Sequence, residues 1–133
     1  MSIEAILDFW FGSDADDGIV GKEKAALWWF KHPQIDGEIR QRFEGLVTKA
    51  GAGELIAWQA TPSGRLALIL LTDQFPRSIY RESPRAFAYD AKALAWSLDG
   101  VQERVDLKLR SIERVFFYRP WSMPNRSSIK NNR

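Results

Sequence analysis

Cysteine is absent from this 133-residue chain, and histidine occurs once, as His32. Without cysteine there can be no disulfide framework, no thiolate nucleophile and no zinc site with sulfur ligands. The same absence fits a reducing compartment, so a cytoplasmic protein is expected. Long apolar runs are also missing. The longest, Leu66 to Leu71, is closed by Arg65 and Asp73, whereas a membrane span needs about 20 apolar residues. The run reads as core, and no membrane partner is expected. The N-terminus carries Glu4 and Asp8 where a secretory signal would carry Lys or Arg. No phosphate loop, glycine-rich dinucleotide fingerprint or metal-binding helix motif is present, so neither a cofactor nor a metal is expected.

A basic body is the next thing lacking, despite a pI near 9.0. Residues 119–133 hold Arg119, Arg126, Lys130 and Arg133 and no acid, which leaves 15 bases against 17 acids over residues 1–118. The basic pI belongs to the tail, and the footprint that nucleic acid requires is missing from the body. What remains is an ordinary globular composition, 45% hydrophobic and 27% charged. A chain of this length forms one domain and buries roughly two-thirds of its unfolded surface.

No convincing strand or internal repeat is found, and the apolar spacing is helical almost throughout. Ser2 caps a helix to Phe11 that carries Ile3, Ile6, Leu7 and Trp10, and Gly12 stops it. After an acidic loop, Ser13 to Gly21, a short helix spans Lys22 to Phe30. His32-Pro33 opens a helix to about Ala50, with Ile35, Ile39, Phe43, Leu46, Val47 and Ala50 on one stripe. A short helix covers Glu54 to Ala60. Thr61-Pro62 then caps a helix over about 62–75, apolar on all sides and therefore central, ended by Pro76. Ser83-Pro84 starts another, running to about Arg104, with Phe87, Leu94 and Val101 on one stripe and Ala91, Leu98 and Val105 beside it. Gly100 within it is tolerated at about 1 kcal/mol. A last short helix covers Ile112 to Tyr118. The fold class is all-α, with antiparallel helix pairs.

The densest chemistry is Asp73-Gln74-Phe75-Pro76-Arg77, followed by Tyr80 and Arg81. Asp73 stands at the C-terminal end of the central helix, where the dipole disfavours negative charge. A buried carboxylate there must be paired, with Arg77 or Arg40 as partner. Three readings stay open: an ion pair that fixes the inter-helix turn, arginines that receive an anionic carboxylate or phosphate, and acid–base chemistry by Asp73. His32 reads as a capping or surface residue, with a general base as the alternative. The tryptophans Trp10, Trp28, Trp29, Trp58 and Trp96 read mainly as core. The sharper alternative is a ligand groove with Trp28 or Trp58 at its edge.

The blocks Ile6 to Gly12, Trp29-Phe30, Arg42-Phe43, Arg65 to Arg81, Ala86 to Asp90 and Val115 to Tyr118 together resemble the bacterial family filed as Domain of Unknown Function 924. The resemblance covers residues 3–120 and implies a fold similar to tetratricopeptide-like superhelices. It implies no activity. After Pro120 the family typically continues with Glu-His-[Ser/Ala]-Glu, whereas here Trp121 to Arg126 follow. Deleting one base from codons for Leu-Glu-His-Ala-Glu-Ser reproduces Trp121 to Arg126. The expectation is a single domain over 1–120 and a frameshifted, non-native tail over 121–133. Apolar surface left uncovered would then favour self-association.

The functional expectation is a helical binding or scaffold domain. Its anion-binding groove, formed by Asp73, Gln74, Arg77, Tyr80, Arg81, Arg40 and Trp28, takes a peptide or small acidic ligand. The alternatives are a hydrolase-like enzyme whose acid–base residues went with the missing segment, or a truncated product with no function. Catalysis by this chain is not expected.

Overall fold

A computed structural model of the chain describes residues 2–122, and every regular element in them is helical. Helix α1 spans Ser2–Phe11, α2 Asp17–Trp29, α3 Pro33–Gly51, α4 Pro62–Thr72, α5 Gln74–Ile79, α6 Asp90–Gln102 and α7 Ser111–Ser122. Three short 3₁₀ turns, Ile56–Ala60, Pro84–Phe87 and Val105–Lys108, connect them. The tail beyond Ser122 lies outside the described residues. No helix among the described residues is long and apolar enough to cross a membrane.

Helix α4 is the centre. Every residue from Gly64 to Thr72 is buried, as an all-round apolar helix requires. Around it stand α1, α3, α6 and α7, with the Ile56–Ala60 turn over its N-terminal end. Thr61 caps that end by accepting from the Gly64 amide at 3.0 Å. Arg65, buried one turn in, donates to the carbonyls of Trp96 at 3.1 Å and Gln59 at 3.4 Å.

Several expected boundaries move, each for a local reason. Helix α2 begins at Asp17 rather than Lys22, because the Asp16 carboxylate accepts from the amides of Gly18 and Ile19. That cap outweighs two glycines in the first turns. The central helix ends at Thr72 rather than continuing to 75. Asp73 then distorts the helix while staying in the right-handed region (φ −113°, ψ −68°), and a second helix, α5, begins at once. Pro76 does not terminate anything. It sits in the first turn of α5, where its missing N–H has no partner to lose. The expected helix from Pro84 to Arg104 is a 3₁₀ turn and a separate α6, and α7 runs through Pro120 to Ser122.

The buried face of α6 also differs from the expected stripe. Ala93, Trp96, Ser97 and Gly100 face inward, while Phe87 and Leu98 stand exposed. Small residues let α6 approach α4 and α7 closely, and the Ser97 hydroxyl donates to the Phe117 carbonyl at 2.6 Å. A Cβ on Gly100 would lie 2.5 Å from Phe117 Cζ and 2.9 Å from Arg65 Cδ. Gly100 is therefore required by packing, not merely tolerated. Gly100→Ala should destabilise the fold by about 1–3 kcal/mol, since overpacking outweighs the better helix propensity of alanine. Urea denaturation checks this, and a more stable variant would contradict the packing argument.

Candidate functional site

The break between α4 and α5 concentrates the polar chemistry. Asp73 is 0% exposed. The Arg77 guanidinium donates through Nη1 to the Asp73 carbonyl at 2.6 Å and to Asp73 Oδ1 at 3.2 Å. It reaches across to α6, with Nη1 3.3 Å from Asp90 Oδ1 and Nη2 3.4 Å from Asp90 Oδ2. The Gln74 amide donates to Asp73 Oδ2 at 2.8 Å. One arginine thus holds the carboxylate that interrupts the central helix and ties α5 to α6. Phe87 lies under the same guanidinium, 5.1 Å from ring centre to Cζ.

Arg40 is not the partner of Asp73, as it was allowed to be on sequence grounds. Its Nη2 donates to the Ile79 carbonyl at 2.6 Å, and Nη1 leans on Glu44. It thereby satisfies an orphan carbonyl at the C-terminal end of α5. Tyr80 joins this second cluster and donates its hydroxyl to Glu44 Oε2 at 2.7 Å. Burial, with the acceptor bond to Glu44 added, pushes the Tyr80 phenol above its ordinary value. Arg81 makes a bidentate pair with Asp36, Nε to Oδ2 at 2.8 Å and Nη2 to Oδ1 at 2.9 Å. That bond lifts its already high pKa further. His32 occupies the cap position of α3, but its side chain makes no cap hydrogen bond.

A cavity of about 200 Å³ opens between α1, α2, α5 and α7. Gln74, Arg77, Arg81 and Trp28, all named from sequence, line it. Asp73 is fully buried and is not part of the lining. Arg40 and Tyr80 belong to the Glu44 cluster and do not line it. The structure adds Lys31 and Arg119 to the lining, and among the described residues no carboxylate is part of it. Lys31 was visible only as the neighbour of an aromatic run, and Arg119 as the first base of the tail. Only the fold places them with α5. The aromatic edge is Trp28, Trp29 and Phe30, while Trp58 stands elsewhere, against Gly64. Trp28 itself is mostly buried and donates its indole N–H to the Trp10 carbonyl at 3.0 Å. Arg119 stacks over Trp29, 5.3 Å from its ring centre. Among the described residues no group of three or more His, Cys, Asp or Glu side chains could hold a metal ion.

Over residues 6–131 the chain matches the family described as bacterial protein of unknown function (DUF924). Among solved structures it is similar to a protein of unknown function from Agrobacterium tumefaciens, with 30% sequence identity and a TM-score of 0.78. The likeness covers 92% of this chain and 64% of that one. Comparison with curated proteins returns no significant match.

Two outcomes are expected. Arg77→Met leaves the buried Asp73 and Asp90 short of their shared cation and should cost about 3–5 kcal/mol, whereas Arg81→Met, which breaks a more exposed pair, should cost about 1 kcal/mol or less. Equal losses in chemical denaturation would refute the distinction. For Tyr80, a folded-state pKa above the unfolded value means that its contribution is complete below about pH 10 and is lost as pH rises through the folded value. Tyr80→Phe should therefore cost about 1.5 kcal/mol at pH 8 and should flatten the alkaline loss of stability. The loss that remains includes Tyr118, whose hydrogen bond to Asp106 raises its pKa in the same sense. Denaturation series between pH 8 and pH 11 measure both effects.

Proposed function

The chain belongs to the bacterial family of proteins of unknown function DUF924, and on that premise we propose that it is a ligand-binding helical domain whose cavity between α2, α5 and α7 takes a small anion. One observation carries the reading: Arg77 of α5, Arg81 just beyond it, Arg119 of α7 and Lys31 of the α2–α3 connection line a single cavity, with no carboxylate among the described residues of its lining. Lys31 also pairs with the exposed Glu82 at 3.2 Å, so the anion is drawn less by net charge than by the guanidinium donors that face the cavity, which suit carboxylate and phosphate oxygens.

The arginines are held rather than loose. Arg81 is fixed by Asp36, yet its Nη1 has no hydrogen bond among the described residues. Arg77 is fixed by Asp73 and Asp90 and keeps Nε in the same condition. Side chains already ordered by such pairs lose little further entropy when a ligand arrives. The domain is read as cytoplasmic, in keeping with its lack of cysteine.

Calorimetric titration of the whole chain with inorganic phosphate and with small carboxylates tests the reading. Binding is expected to weaken with added salt. Arg81→Met, chosen because it spares the buried pair, should lower affinity about tenfold through loss of a charge-assisted contact. If neither anion class binds, or if Arg81→Met binds as the parent does, the reading fails.

A further inference from the structure

The cavity has an inner and an outer end of different character. Inside are Trp10, 1% exposed, and the buried Gln74, with Arg77 beside them. At the mouth stand Lys31 and Arg81 between two aromatic rings, Trp29 at 49% exposed and Phe30 at 66%. Trp10 adds a second feature that core packing does not explain. Its indole Nε1 is buried and has no hydrogen-bond partner among the described residues, although Trp10 is one of the residues that line the cavity. A buried N–H left unpaired forfeits its hydration without return. Trp28, packed against it, has already given its own N–H to the Trp10 carbonyl.

Building on the anion-binding reading above, we propose that the ligand is an organic carboxylate with an apolar body. It binds carboxylate inward, so that one oxygen accepts from Trp10 Nε1 and the group lies beside Gln74 and Arg77. The body then rests at the mouth against Trp29 and Phe30. These two large rings are exposed in a place where an inorganic anion would leave them wet, whereas an aryl or branched alkyl group would cover them. The cavity volume, about 200 Å³, suits an acid built on a single ring and leaves no room for a nucleotide.

The test uses the whole chain, labelled with ¹⁵N at its six indoles, and titrates it with benzoate, acetate and inorganic phosphate. The Trp10 indole signal is assigned by its loss in Trp10→Phe. If that variant does not fold, contacts to the Phe75 and Phe116 rings, each centred 5.4 Å from that of Trp10, assign it in the parent. Benzoate should bind at least tenfold more tightly than acetate or phosphate and should move the Trp10 indole proton downfield while leaving the Trp58 indole in place. Phosphate or acetate binding as tightly as benzoate would overturn the apolar body. A stationary Trp10 signal during benzoate binding would overturn the orientation. Either result leaves the small-anion reading standing. Failure of all three ligands to bind removes that reading and this one with it.

Discussion

Helix α4 must be hidden on every side. Leu66 to Leu71 expose nothing to water, and each leucine or isoleucine among them contributes roughly 1.5–3 kcal/mol when buried. One helix can be covered all round only if others surround it, so α1, α3, α6 and α7 are placed by this requirement. The same burial makes the two ends of α4 hard to accommodate, because orphan amides and carbonyls cannot reach water. At the N-terminal end Thr61 caps and Arg65 reaches out to the carbonyls of Gln59 and Trp96. At the other end the chain breaks at Asp73, and Arg77 takes both the Asp73 carbonyl and its carboxylate.

The polar cluster at the break follows from that constraint and then does more. Since Arg77 also grips Asp90, α5 is locked to α6. The direction of α5 in turn brings Arg77, and Arg81 just past its C-terminal end, to the ends of α2 and α7. There they meet Lys31 and Arg119. Structural and functional readings of the Asp-Gln-Phe-Pro-Arg block are therefore not rivals at the same atoms. Asp73 belongs wholly to the first, and Gln74 and Arg77 have one side in each.

The aromatic residues divide in a similar way. Trp10, Phe75 and Phe116 form a contiguous packed group, with ring centres 5.4 Å apart in two of the pairs. Trp28 bridges that group to the surface, lying 4.8 Å from Phe116 and 5.9 Å from Trp29. The cavity exists where this aromatic wall meets the arginines of α5. An indole N–H without a partner at such a junction is a local cost. In an otherwise well-satisfied fold such conflicts tend to mark sites of function.

Much of this was legible in the residues. An all-round apolar run with one β-branched residue, after a Thr-Pro cap, reads as a central helix in preference to a strand, which is the competing assignment for so short a run. A carboxylate at the end of a buried helix must find a cation, and Arg77, four residues on, is within local reach. The boundaries were less legible. Pro76 looks like a terminator, but a proline in the first turn of a new helix loses nothing, and only the backbone at Asp73 reveals which case holds. The inward face of α6 was misread for a related reason: hydrophobicity pointed to Phe87 and Leu98, while close helix approach selected Ala93, Ser97 and Gly100 for their size. By itself the sequence determined the helical class and the need for a cation beside Asp73, because helical periodicity, caps and the cost of unpaired charge act over a few residues, while the structure chose Arg77 over Arg40. The tertiary structure alone decided which cations share a cavity and which buried indole has no partner among the described residues. Lys31, Arg81 and Arg119 are far apart in the chain, and no local rule relates them.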